Sequence, residues 1–273
     1  MTYRFALTRT DRSDFATGRV FYGLPGRTAF PVRLADELFQ RCLAHHGASG
    51  PGGVALYDPC CGGASLLAAI AYLHWARVRS VVASDVDPDI LPLASRNLAL
   101  LTHEGLRQRE AQISALHALH GKDSHAAALE SAQRLRARLA AGLAQHALPT
   151  HLFLADATDP VAVRAGLGPA TVDIVITDVP YGLRSSWQHA PDREQLAQGQ
   201  GQGPLWALLE ALRPVLAPGA VVAIVSDKTQ KPRHEAYARA DRFQIGHRRV
   251  EVLAVLGTDN GRGDDQVPTS AVE

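Results

Sequence analysis

Val54-Ala-Leu-Tyr-Asp58-Pro-Cys-Cys-Gly-Gly-Ala-Ser65 decides the fold. A short apolar run ends on a carboxylate, passes through a proline and a pair of glycines, and enters a helical pattern. This is a strand-to-helix turn of the kind that opens a βα unit. Gly62, Gly63 and Ala64 let a ligand approach the backbone. The helix beyond offers amides and the positive end of its dipole to a carboxylate or phosphate. The spacing is not G-x-G-x-x-G, so the dinucleotide fingerprint fails and a nicotinamide oxidoreductase is disfavoured.

Outward from this turn, short apolar runs alternate with helical patterns, as in a parallel sheet covered by helices. Strands are expected at 54–57, 80–84, 151–155, 173–177 and 220–226, and a hairpin from 243–246 and 250–256 closes the sheet. The expected fold is α/β, a seven-stranded, mostly parallel sheet with helices on both faces. Asp58, Asp85, Asp156 and Asp178 follow four of the strands directly. In such sheets ligands bind beyond the carboxyl ends of the strands, so the four carboxylates are expected on one rim. A helix is expected from Pro31 to Leu43. The Ala-, Leu- and Arg-rich stretch 103–148 reads as a helical insertion broken near Gly121-Lys-Asp-Ser124. One domain is expected over 1–256, with an N-terminal arm (1–29), a mobile loop at 185–203, and a polar, disordered tail at 257–273.

Composition narrows the function. The 273 residues carry 28 Lys and Arg against 27 Asp and Glu, a net charge of +1, which excludes indiscriminate polyanion coating. Cys42, Cys60 and Cys61 cannot build a disulfide framework, and a vicinal pair lacks metal-ligand spacing, so no metal is expected. No apolar run approaches the ~18 residues of a membrane span, and the first residues lack a signal-peptide core, so a cytoplasmic protein is expected.

Asp85 is placed to accept the hydroxyls of a ribose, and Asp156 an exocyclic adenine amine. Either could instead cap the turn or helix after its strand, and Asp87 reads as the N-cap of a helix beginning near Pro88. In Thr177-Asp-Val-Pro-Tyr-Gly182 a carboxylate, a stiffened backbone carbonyl and an aromatic face fall together. A planar base can stack on Tyr181 while its N–H groups donate to Asp178 and the carbonyl of Val179.

The order Asp58-Pro-x-x-Gly-Gly, Asp85, Asp156, Asp178-x-Pro-Tyr resembles methyltransferases acting on nitrogens of nucleobases. Phe30-Pro-Val-Arg-Leu34, Ala83-Ser-Asp-Val-Asp-Pro88 and Asn97-Leu-Ala-Leu-Leu101 extend the likeness to the avilamycin-resistance 23S rRNA guanine methyltransferase family. The resemblance implies a Rossmann-like class I methyltransferase fold and S-adenosyl-L-methionine as cofactor. It implies transfer to a guanine, at ring N1, in 23S rRNA or the large ribosomal subunit, and with it resistance to an orthosomycin such as avilamycin. Carried over residue by residue, Asp58, Cys60, Gly62 and Gly63 hold the methionine end, Asp85 the ribose and Asp156 the adenine side. Asp178, also a cofactor-binding residue, forms the catalytic group with Pro180 and Tyr181. Ala64 stands where relatives often carry Gly, and Val179 where the amino-methyltransferase motif usually has a second Pro.

Two segments are locally basic: Met1 to Arg33, interleaved with Tyr3, Phe5, Phe15, Phe21 and Tyr22, and Lys228 to Arg249. Both can contact RNA through phosphates, the first with aromatics stacking on exposed bases, or be solvated surface with the aromatics docking the arm onto the core. The alternatives are a protein-glutamine N-methyltransferase, a DNA adenine or cytosine methyltransferase, and a catalytically silent RNA-binding protein of the same fold. A monomer is expected.

Overall fold

A computed structural model describes residues 3–24, 29–47, 52–179 and 203–256. Its centre is β1 (Val54–Asp58), buried at every position, which only a strand covered on both faces can be. The other strands are β2 (Val78–Asp85), β3 (Thr150–Leu154), β4 (Val172–Asp178), β5 (Leu216–Ser226), β6 (Tyr237–Ile245) and β7 (Arg248–Val255). They form one sheet in the order β3-β2-β1-β4-β5-β7-β6. The pairs β1/β2, β2/β3, β1/β4 and β4/β5 are parallel, and β7 is antiparallel to both neighbours. The chain winds outward from β1 to β3 and then returns beside β1 as β4. That switch opens a crevice at the strand ends carrying Asp58 and Asp178.

The helices among the described residues are α1 (Val32–His46), α2 (Ser65–Leu73), α3 (Leu91–Ala99), α4 (His103–His120), α5 (Asp123–Leu143), α6 (Pro160–Leu167) and α7 (Pro204–Leu212). Residues of α1 to α5, including Leu38, Leu67, Leu98, Ile113 and Leu135, pack against Leu56, Ile174 and Val252 on one face of the sheet. α6 and α7 pack Val163, Leu208 and Leu212 against Tyr57, Val175 and Val222 on the other. The insertion is the α4–α5 hairpin; Gly121 closes α4 with φ of 60°, a left-handed conformation that suits glycine.

Four expectations are settled or changed. Of the two readings of the N-terminal arm, docking onto the core holds for two of its rings: Phe15 and Phe21 are buried beside Tyr72. Arg12 pairs with Asp36 at 2.5 Å and Arg134 with Asp14 at 2.8 Å. Arg33 donates to the carbonyl of Ala6 while lying over Tyr3. The core supplies more apolar contact for those rings than solvent exposure would allow. Second, Asp87 caps only a turn: its carboxylate accepts from the Asp89 amide at 3.0 Å, and α3 starts at Leu91. Third, the first hairpin strand runs nearly a whole sheet edge, Tyr237–Ile245, rather than 243–246. Finally, β5 starts earlier than 220, at Leu216. The loop expected at 185–203 lies, except Gly203, outside the described residues, as does the tail at 257–273.

Candidate active site

The four carboxylates stand where β1, β2, β3 and β4 end. Asp58 is 2% exposed, and its Oδ1 accepts from the Cys60 amide at 3.0 Å. The turn is then laced to β2. The Cys61 amide donates to the Ser84 carbonyl at 2.9 Å, and the Gly62 amide to Asp85 Oδ2 at 2.8 Å. Asp85 Oδ1 accepts from the Asp87 amide at 3.1 Å, and the Asp85 carbonyl from Ala155 beyond β3. Asp156 Oδ1 accepts from the Thr158 amide and hydroxyl at 2.8 and 2.7 Å, while Asp159 caps α6. Asp178 ends β4 opposite Val225, and the Val179 amide donates to the Val225 carbonyl at 3.0 Å. Pro180 and Tyr181 lie outside the described residues.

Gly62 has φ of 50°, and no atom stands within contact of the place a Cβ would take, which leaves the turn open to a ligand. Ala64 also adopts a left-handed φ, 53°, and is fully buried at the start of α2. A non-glycine residue is strained there by roughly 1–2 kcal/mol. At Gly63 a Cβ would come within 2.9 Å of Leu93 Cδ2, so a side chain there requires the end of Leu93 to shift.

The carboxylates act on one another. Burial first, then the charges of Asp85 and Asp178, push the Asp58 carboxyl up to about 7. Burial also raises Asp85. The Cys60 thiol is raised by burial and by Asp58, Asp85 and Asp156, so the rim reaches it from three strands. Cys61 is raised by burial and by Asp58 and Asp85. Neither thiol is a thiolate nucleophile. Among the described residues, no group of His, Cys, Asp and Glu is arranged to hold a metal ion. A buried carboxyl whose neighbours are carboxylates suits a ligand that brings positive charge.

Asn97 has a role that the sequence reading did not assign. Its side chain is fully buried. The amide donates to the Gly63 carbonyl at 2.8 Å and the Tyr22 carbonyl at 3.0 Å, and its oxygen accepts from the Tyr22 amide at 2.8 Å. One side chain thus joins the glycine turn, α3 and the arm. The available signal was a lone amide on the apolar face of α3, among Leu93, Ala94 and Leu98. Asn97→Leu strands three part-buried backbone groups. The expected loss is about 2–3 kcal/mol of stability, read by urea unfolding; an unchanged midpoint contradicts the clamp.

Comparison with known proteins agrees with this architecture. The family model described as rRNA methyltransferase AviRa matches residues 1–248. A Streptomyces viridochromogenes protein named 23S rRNA (guanine(2535)-N(1))-methyltransferase is 43% identical over 246 residues, covering 90% of this chain and 93% of that one. The 1.5 Å structure of rRNA methyltransferase aviRa from the same organism superposes with a TM-score of 0.79 at 40% identity, over 93% of this chain and 96% of that chain. A 2.4 Å structure of that enzyme gives 0.78. The mostly parallel seven-stranded sheet is that of a Rossmann-like class I methyltransferase, and the chain belongs to the AviRa family of rRNA methyltransferases.

Proposed function

We propose that this chain methylates ring N1 of a guanine in 23S rRNA, with S-adenosyl-L-methionine as donor, and thereby reduces sensitivity to an orthosomycin such as avilamycin. The observation that carries the reading is Asp178 at the end of β4, beside the switch that also places Asp58. The relative named for guanine N1 methylation supports the choice of base and atom.

Asp58 and the turn through Gly62 and Gly63 take the charged methionine end, Asp85 takes ribose hydroxyls, and Asp156 takes the adenine side. When bound, S-adenosyl-L-methionine supplies a methyl group already activated on a sulfonium. What remains for the chain is alignment of the base nitrogen with that methyl group and removal of the N1 proton. Asp178 accepts that proton, while Pro180 and Tyr181 hold the base plane. Cytoplasmic residence follows from a ribosomal substrate.

The raised Asp58 carboxyl gives a pH signature. Below about 7 it is mostly neutral and attracts a cation weakly; above, it is ionised. Affinity for S-adenosyl-L-methionine is expected to tighten roughly tenfold between pH 6 and 8, and Asp58→Asn should flatten that profile. Calorimetric titration across this range checks it, and a flat wild-type profile contradicts it.

Incubation with tritiated S-adenosyl-L-methionine and naked 23S rRNA, ribosomal subunits or release factors tests the substrate class. Label in 23S rRNA is expected; label confined to release factors would replace the reading with glutamine methylation.

A further inference from the structure

The basic character of the segment after β5 resolves into a built feature. Between residues 231–234 and the β6–β7 hairpin lies a cavity of about 360 Å³ lined by Lys231, Arg233, Arg239, Arg242, Arg249 and Glu251 among others. Buried Pro232 and His234 alternate with exposed Lys231 and Arg233, so the segment is anchored by one set of side chains and presents the other. His234 is fixed by stacking on Trp206 at 4.7 Å and by Glu210 at 2.9 Å.

The opposite wall depends on a register shift. Arg239 and Arg242 are three residues apart, which in a regular strand places them on opposite faces. A shift between Arg239 and Asp241 sets Arg239 opposite Leu253 and Arg242 opposite Glu251, two residues apart on β7 and therefore on one face. The same shift sends Asp241, opposite Val252, to the other face, where it meets Arg41 at 2.5 Å. The bulge sorts cations into the cavity and the carboxylate away from it. Glu251, the carboxylate of the lining, is paired with Arg249. Charge that merely protects an edge strand can be of either sign; here four cations, Lys231, Arg233, Arg239 and Arg242, stand beside the Arg249–Glu251 pair.

The cleft begins beside the rim. Val225 pairs with Asp178 on one side, and the next residue, Ser226, pairs with Arg249 on the other. Two strand spacings, roughly 10 Å, separate Asp178 from β7. We propose that this cleft holds the phosphate backbone of the RNA strand flanking the nucleotide whose base enters the active site. The inference rests on the rRNA substrate proposed above. An enzyme that extracts a base must hold the flanking backbone, and guanidinium groups hold phosphates by paired, charge-assisted hydrogen bonds.

Filter binding of a radiolabelled 23S rRNA transcript to the full chain, across a salt series, tests this. The double variant Arg239→Ala/Arg242→Ala is expected to bind at least about tenfold more weakly at low salt. The slope of log affinity against log salt should fall in magnitude by about 1.5. Lys231→Ala/Arg233→Ala, on the separate facing wall, should act in the same direction, while Arg107→Ala on α4 should bind as wild type. Unchanged affinity and slope in both double variants, or an equal loss in Arg107→Ala, overturns the cleft. Methyl transfer is read in parallel. Cleft-dependent binding without transfer retains the cleft and removes the methyltransferase reading; transfer with cleft-independent binding does the reverse.

Discussion

Asp178→Asn is expected to slow methyl transfer by about 10²–10⁴-fold, the usual worth of a positioned general base. The amide keeps the shape and an acceptor oxygen, so affinity for S-adenosyl-L-methionine should stay near that of wild type. Guanine N1 carries a proton, and without an acceptor the reaction waits for the base to ionise in solution. The deficit should therefore narrow as pH is raised toward the ionisation of N1, whereas a purely positional defect would be independent of pH. Single-turnover rates from pH 6 to 9, with cofactor affinity measured by calorimetry, separate these cases. Full turnover in the variant with normal cofactor binding would remove Asp178 from proton transfer.

The second large effect concerns the arm. Glu37 on α1 is fully buried and accepts from the amides of Arg4, Phe5 and Ala6 at 2.7, 2.8 and 2.8 Å and from Arg41 Nε at 2.7 Å. Burial alone would push its carboxyl up; the amides of Ala6, Arg4 and Phe5, with Arg41, overcome that and hold it below the usual carboxylate value. Its folded value lies below the unfolded one, so its contribution is present above about pH 4.5 and is lost as pH falls further. Glu37→Ala strands three amides and leaves the Arg41 guanidinium with Asp241 as its remaining carboxylate partner, at a cost of about 3 kcal/mol. A fall of about 10 °C in Tm is expected, with faster amide exchange at residues 4–6. A shift of under about 2 °C would contradict the role given to Glu37.

What was legible in the sequence, and what was not, divides along the distance of the interactions concerned. Strand ends carrying Asp58, Asp85, Asp156 and Asp178 could be read because each acid closes a short apolar run, buried throughout in β1 and nearly so in β4, a local pattern. The break at Gly121 could be read for the same reason. The fate of Phe15 and Phe21 could not, because an aromatic that docks an arm and one that stacks on RNA share the same local sequence. β6 was underread because an edge strand is half exposed, and Tyr-Ala-Arg-Ala-Asp-Arg shows no continuous apolar run. The register shift after Arg239 leaves no mark in composition, yet it decides which charges share a face. Asn97 was visible as a polar residue on an apolar helix face, but its partners lie 34 and 75 residues away.

Mapping the modified nucleotide tests the central claim most directly. 23S rRNA treated with the enzyme and S-adenosyl-L-methionine is read by primer extension and then by mass spectrometry of its nucleosides. Methyl at N1 blocks Watson–Crick pairing, so a strong reverse-transcription stop at one guanine, with 1-methylguanosine as the product, is the result expected. 2-Methylguanosine with little stop, or label in any base other than guanine, would contradict it.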